Sequence, residues 1–131
     1  MNLSPRQWHK IVSGAIMLSA IPPIIYIQLH WRQQVDDPTL AHMLGLAPNF
    51  LSGIAIPFAL LLFDPDYEVF KKRRFWYYNT GGFLLLVIHE YERFTANHAF
   101  DLQDLAVSLA GLLVADFFYF GVVIPLTRGN Q

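Results

Sequence analysis

Four long apolar runs constrain this chain more than any other feature. They lie near residues 9–30, 46–63, 75–93 and 103–126. A helix needs about 20 residues to cross the hydrocarbon of a bilayer, and in lipid only a helix or a closed barrel satisfies its own backbone. The two-residue alternation of barrel strands is absent from these runs. We therefore predict an all-α polytopic membrane protein, a single domain (residues 1–131) of four transmembrane helices in an antiparallel bundle.

The composition favours the same class of protein. Apolar residues make up 54% of the chain and charged residues only 15%, whereas a soluble domain carries charge on about a quarter of its residues. The net charge of −1 gives no reason to expect a nucleic-acid partner, so the bilayer itself is the expected partner. The chain has no cysteine, which excludes disulfides, thiolate nucleophiles and cysteine-based metal sites. The first apolar run is too long for a signal peptide and is predicted to remain as an uncleaved helix.

The distribution of Lys and Arg predicts the orientation in the membrane. Seven of the nine lie in the N-terminal segment, the loop after the second run and the C-terminal tail: Arg6, Lys10, Lys71, Lys72, Arg73, Arg74 and Arg128. The other two, Arg32 and Arg93, lie one in each of the remaining loops. Because basic loops stay cytoplasmic, we predict a plasma-membrane protein with both termini inside. Trp8, Trp31 and Trp76 fall at the predicted span ends, where indole prefers the interface.

Prolines interrupt two of the runs. Pro22 and Pro23 predict a bend in the first helix, because each lacks a backbone donor. Pro57 lies in the second run, which is also the shortest. That helix is expected to be tilted, kinked or partly re-entrant.

The predicted outer face is rich in carboxylates and imidazoles. Its two loops hold Asp36, Asp37, Glu90, Glu92, Asp101 and Asp104, with His30, His42, His89 and His98. Glu90 ends the third run and Asp104 begins the fourth, so an antiparallel turn brings them together. A close pair of carboxylates can carry out acid–base chemistry or bind a cation. Asp101 is placed to cap the fourth helix, and Arg93, three residues after Glu90, is a candidate ion-pair partner for it.

The fourth helix presents a face of small and polar residues. Asp104, Ser108 and Gly111 are spaced four and then three residues apart, so they share this face. Small residues four apart also permit close packing, namely Ala106 with Ala110 and Gly111 with Ala115. Gly81-Gly82 on the third helix offers a matching surface. We predict that Ser108 and Gly111 form the floor of a pocket whose mouth holds Glu90 and Asp104.

Asp116 lies near the middle of the fourth run. An aspartate at the bilayer centre costs about 2.5–3.5 kcal/mol on insertion scales, so such residues are usually partnered. Ser19, Asn79 and Thr80 lie at similar depth and could supply the partner. A structural hydrogen bond and a role in binding a proton or ligand both remain open.

The histidines and acids do not form a recognisable metal motif. The segment "HEYER" lacks the second histidine of H-E-x-x-H. We expect solvated interfacial histidines, with no metal site and no cofactor.

The segment "HEYERFTANHAFDLQDLAVSLAGLL" resembles the VanZ-like family of small membrane proteins, named for a teicoplanin-resistance protein. The family signature places a Glu at the end of the third helix, and in the fourth an Asp followed by a Gly seven residues on. Glu90, Asp104 and Gly111 match those positions, and the resemblance covers about residues 45–115. It implies a role in the cell envelope, in glycopeptide resistance or in handling lipids or lipid-linked precursors.

The chain also departs from the family signature at three positions. Arg93 stands where the family has a Gln, and Ser108 stands where it has an Asn. The loop lacks the family's Arg, and His98 is the nearest substitute. These departures concern the polar residues, so the chemistry of the site does not follow from the resemblance.

Three functions are compatible with the sequence. The leading interpretation is a VanZ-like envelope protein with a polar outer pocket that includes Glu90, Asp104, Ser108, Gly111 and Asp116. The first alternative is a non-catalytic accessory subunit of a larger membrane complex, which would use its small-residue faces and aromatic residues for lateral packing. The second is a small enzyme acting on a lipid head group, with Glu90 and Asp104 as the acid–base pair.

Overall fold

The computed structural model describes residues 4–64, 72–96 and 101–128, and nearly all of these residues are helical, with no strand among them. The helices are α1 (Pro5–Tyr26), α2 (Arg32–Gln34), α3 (Pro38–Phe63), α4 (Lys72–Thr95), α5 (Leu102–Phe118) and α6 (Ile124–Arg128). Two π-helical segments, Ile27–Trp31 and Tyr119–Val123, continue α1 and α5 into the short helices that follow. The prediction of an all-α fold is confirmed. Lys71 and His98, which entered the predictions above, lie outside the described residues.

Three helical stretches are long and apolar enough to cross a membrane. They are Arg6–Gln34, Pro38–Phe63 and Leu102–Leu126. In the described part of the chain α4 does not join them, because its longest stretch without a polar side chain is only residues 81–88. The sequence predicted four transmembrane helices, and three described helical stretches meet these criteria.

The second long helix begins earlier than its apolar run. Asp37 caps α3, since its Oδ1 accepts hydrogen bonds from the backbone N–H groups of Thr39 at 2.8 Å and Leu40 at 3.1 Å. Pro38 then occupies the first helical turn, where no N–H is required. The helix therefore begins within a polar segment, before the apolar run near residue 46, because the cap and the proline start it there.

The prolines leave the long helices continuous. α3 extends over 26 residues through Pro48 and Pro57, so it contains no re-entrant break and is not a short span. Pro22 and Pro23 lie inside α1, which continues to Tyr26 before the backbone widens into π geometry.

The start of α5 and the end of α4 meet at one end of the molecule. We call this the acidic end, because Glu90, Asp101 and Asp104 lie there. The end of the first helical stretch and the start of α3 lie beside them, on either side of a common cleft. At the opposite end, Lys10 Nζ donates hydrogen bonds to the carbonyls of Leu62 and Asp64, at 3.3 Å each.

An aromatic core fills the half of the molecule away from the acidic end. The rings of Phe75 and Tyr119 are stacked, with centroids 3.9 Å apart and planes 3° from parallel. Phe58 lies 5.4 Å from Phe75, and His9 meets the edge of Tyr119 at 5.5 Å. All four residues are fully buried, so this cluster joins α1, α3 and α4 to the segment after α5.

α3 and α5 are in backbone contact at two glycines. A Cβ atom on Gly53 would lie 2.3 Å from the carbonyl oxygen of Ser108, and one on Gly111 would lie 2.2 Å from that of Phe50. Real Cβ atoms do not approach backbone oxygens so closely. Small residues are therefore required at this crossing, as they are at many membrane helix pairs.

The small-residue face of α5 behaves only partly as predicted. Gly111 and Ala115 are buried, but Ala106 and Ala110 are exposed. Gly111 meets Gly53 of α3 and not the Gly81-Gly82 pair, whose Gly82 lies near side chains of α3 and α5. The expected partner helix was wrong because sequence spacing alone does not show which glycine faces which.

We expect Gly111→Ala to destabilise the protein by about 1–3 kcal/mol, because the added methyl group meets backbone that cannot move aside alone. Gly121→Ala is the matched control, since nothing lies within 4 Å of its Cβ position. Thermal unfolding of both variants in a mild detergent measures the difference. Equal melting temperatures for the two variants would contradict the close contact.

Candidate functional site

Glu90 is a buried carboxylate with both oxygens occupied. The residue is 4% exposed and lies in the last turns of α4. Its Oε2 accepts a hydrogen bond from Arg93 Nη1 at 3.1 Å, and its Oε1 accepts one from the backbone N–H of Asp101 at 3.1 Å. A buried charge is costly unless it is paired and hydrogen-bonded. Both conditions are met, and the predicted Glu90–Arg93 ion pair is confirmed.

Arg93 also joins α4 to α5. The same Nη1 atom donates to Asp104 Oδ2 at 2.9 Å, so one guanidinium lies between two carboxylates. The side chains of Glu90 and Asp104 are 5% and 15% exposed, whereas that of Arg93 is 41% exposed. The bridge is therefore most shielded from water at Glu90 and opens toward Arg93. Glu90 and Asp104 are thus brought together by a shared cation and not by a shared proton.

The first turn of α5 holds this arrangement in place. Asp101 Oδ1 accepts from the backbone N–H groups of Gln103 at 2.8 Å and Asp104 at 3.4 Å, which confirms the predicted cap. Because the N–H of Asp101 binds Glu90, a single residue starts α5 and fastens it to α4. Ser108 is buried and donates its hydroxyl to the carbonyl of Asp104 at 2.8 Å, within its own helix.

A cleft of about 370 Å³ opens beside the bridge. It is lined by Ile27, Gln28, Arg32, Leu44, Gly45, Pro48, Asn49, His89, Arg93 and Asp104. A much smaller cavity behind it is lined in part by Glu90 and Ser108, and it shares Asn49, His89 and Asp104 with the cleft. The predicted pocket residues Glu90, Asp104 and Ser108 therefore meet in one place. Gly111 lies deeper, where α5 crosses α3.

Asp116 does not belong to this cluster. It lies twelve residues after Asp104 on a continuous helix, about 18 Å along the axis. Its carboxyl group interacts with the side chain of Asn79. Ser19 and Thr80, the other expected partners, donate instead to carbonyls of their own helices.

The side chains of Asp116 and Asn79 are only partly hydrogen-bonded within the described part of the chain. Asp116 Oδ1 and Asn79 Oδ1 are both buried and lack hydrogen-bond partners among the described residues, while Asn79 Nδ2 donates to the carbonyl of Leu112 at 3.3 Å. The contact with Asn79 and the distance from the cleft favour the structural role for Asp116 over membership of the pocket.

Sequence reasoning missed several residues that line the cleft. Arg32 served only as a marker of topology, and neither Asn49 nor Gln28 was assigned a role. Asn49 could have been found, because it lies four residues before Gly53 and thus on the face of α3 that contacts α5. The position of Arg32 depends on how α1 and α3 pack, which no local pattern reveals.

No family model matches the chain, and neither does any curated protein or solved structure. The resemblance to the VanZ-like family therefore depends on the motif residues themselves.

We expect Glu90→Gln and Arg93→Gln each to lower the free energy of unfolding by about 1–3 kcal/mol, because each leaves a buried or half-buried partner unsatisfied. Arg93→Gln should cost more, since it leaves two carboxylates facing each other without a cation. The double variant should lose less than the sum, because both changes remove one interaction.

Glu92→Gln is the control for this cycle. Glu92 carries the same charge two residues away, and its side chain is exposed, so its removal should change stability by at most about 0.5 kcal/mol. Additive losses in the double variant would show that the Glu90–Arg93 contact contributes nothing to stability.

Proposed function

We propose that this chain is a four-span integral protein of the plasma membrane, with four transmembrane helices in an antiparallel bundle and α4 as the third span. α4 packs against both α3 and α5. Its 24 residues measure about 36 Å, more than the roughly 30 Å of bilayer hydrocarbon. It also runs from the aromatic core at Phe75 to the acidic end at Glu90. A neighbour that extends beside two apolar helices over this length is expected to share their environment.

The same proposal places the acidic end outside the cell and both termini in the cytoplasm. The basis is the excess of Lys and Arg in the segments at the opposite end. Arg32 and Arg93 at the acidic end do not outweigh this excess, because they are only two of the nine basic residues.

Cysteine labelling tests the orientation, since the native chain has no cysteine. Gln34→Cys and Ala96→Cys, both at exposed positions of the acidic end, should react with an impermeant maleimide in intact cells. Glu68→Cys, in the segment before the basic cluster and outside the described residues, should react only after the cells are permeabilised. The reverse pattern would invert the proposed topology.

We further propose that the acidic end is a binding site for a polar group of the cell envelope, as the resemblance to the VanZ-like family implies. The main observation behind this proposal is the buried Glu90, whose two carboxylate oxygens both accept hydrogen bonds. Arg93 bridges it to Asp104 beside an open cleft. A buried ion pair is weak evidence for stability, because apolar residues of similar volume often stabilise a fold as well or better. A charged bridge at the wall of a cleft therefore favours recognition of a ligand.

The motif positions support the same conclusion. Glu90 and Asp104 meet through Arg93, which stands where the family has a Gln, and Gly111 makes the helix contact beneath them. The acid–base enzyme has less support. The oxygens of Glu90 already accept hydrogen bonds from Arg93 and Asp101, so no close carboxylate pair is left to share a proton.

The accessory-subunit alternative is favoured by one surface of α5. Leu113 and Phe117 are 62% and 72% exposed and lie four residues apart on one face. That face is suited to lipid or to another membrane protein. Purification in a mild detergent shows whether this face meets lipid or another protein, because an obligate subunit would be purified with a stoichiometric partner.

The binding function is tested by replacing Glu90 in cells that otherwise lack the protein. Glu90→Gln should abolish any protection against teicoplanin that the wild-type chain confers, measured as the minimum inhibitory concentration. Glu92→Gln should retain it at equal abundance in the membrane. Full protection by Glu90→Gln would show that the carboxylate has only a structural role. Absence of protection by the wild-type chain would contradict the link to glycopeptide resistance.

A further inference from the structure

Arg32 is held flat against the cleft wall by a glycine. A Cβ atom on Gly45 would lie 3.4 Å from Arg32 Cζ, 3.5 Å from Nη2 and 3.6 Å from Nε. Three atoms of one planar group at nearly equal distance indicate that the guanidinium lies face-on over Gly45. The contact packs one face of this exposed residue's guanidinium on α3 and leaves the edge of its fork, which carries the N–H donors, free of α3.

The charge of Arg32 is not neutralised within the described part of the chain. The guanidinium of Arg32 makes no ion pair or hydrogen bond there, and neither do the side-chain amides of Gln28 and Asn49, which line the same cleft. Arg93, the other arginine of the cleft, is shared by Glu90 and Asp104. The lining of the cleft therefore includes an uncompensated guanidinium, two amide groups and a carboxylate bridged to a cation.

Each of these groups selects a different part of a ligand. A guanidinium matches phosphate geometry with two parallel N–H donors, and amide groups of Asn and Gln can add further donors. Asp104, whose charge is partly offset by Arg93, can accept hydrogen bonds from a hydroxyl or ammonium group. The cleft volume of about 370 Å³ falls at the low end of small-molecule sites, which suits a head group and not a complete lipid.

We propose that Arg32, positioned by Gly45 and assisted by Asn49 and Gln28, binds the phosphate of a polar head group in this cleft, with Asp104 facing its hydroxyl or amine groups. The inference rests on the proposed function and names its ligand class. The phosphate can belong to a membrane lipid or to a soluble phosphate ester, and the two sources are separable by experiment.

The test measures binding of two probes to the full chain in a nonionic detergent. The probes are dihexanoyl phosphatidylglycerol and glycerol 3-phosphate, and affinity is measured by microscale thermophoresis. Arg32→Gln should weaken binding at least tenfold. The affinity of Arg32→Lys should lie between those of the wild type and Arg32→Gln, because an ammonium group keeps the charge but lacks the planar fork. Arg6→Gln removes the same charge from the first turn of α1 and should bind as the wild type does.

Gly45→Leu provides a second variant that keeps the charge of Arg32. Leucine is a good helix former, and its side chain would occupy the space over which the guanidinium lies. Binding should fall at least tenfold with little change in melting temperature. An unchanged affinity in this variant would show that Gly45 does not position Arg32 and would overturn the proposed site.

The two probes identify the source of the phosphate. Arg32-dependent binding of both supports a site for the phosphate ester alone, and Arg32-dependent binding of phosphatidylglycerol only supports a lipid head group. Binding of neither probe, or equal binding by wild type and Arg32→Gln, overturns the inference. If the inference is overturned in this way but Glu90→Gln still abolishes protection against teicoplanin in cells, the proposed ligand class is wrong and the proposed binding function stands.

Discussion

The arrangement of the acidic end depends on the contact between α3 and α5 at Gly53 and Gly111. Each glycine faces a backbone carbonyl of the other helix at a distance that no side chain permits, so the rotation of both helices is set by this crossing. The positions of residues one or two turns away on the same helix faces are then largely fixed. Asn49 lies one turn before Gly53, and Asp104 lies two turns before Gly111, which is why both line the same cleft.

Glu90 shows how a costly residue can be accommodated without making the fold depend on it. Its carboxylate is satisfied by Arg93 from its own helix and by the N–H of Asp101 from the chain that starts α5. Asp101 would cap α5 with or without Glu90, and α3 and α5 would cross at their glycines in either case. The helix packing therefore explains where Glu90 lies but not why a charge is present there, and a ligand in the cleft would supply that reason.

Local spacing explains which features of the molecule could be predicted from the sequence. The cap at Asp101 and the Glu90–Arg93 pair join residues within one helical turn, and both are observed. α3 starts at Pro38, before its apolar run, and the pair Asp37-Pro38 is a recognised start signal for a helix. The Arg93–Asp104 contact and the position of Arg32 over Gly45 join different helices, so they follow only from tertiary packing.

The two arginines of the cleft differ in a way that bears on its chemistry. In the proposed topology both arginines lie on the outer side, where a basic residue opposes the usual distribution of charge. For Arg93 the opposing carboxylates Glu90 and Asp104 explain its presence. For Arg32 no described residue does so, although one face of its guanidinium packs against Gly45. Ordering a long cationic side chain on binding loses rotamer entropy, and in the proposed site the contact with Gly45 would reduce that loss, which favours tighter binding of an anion.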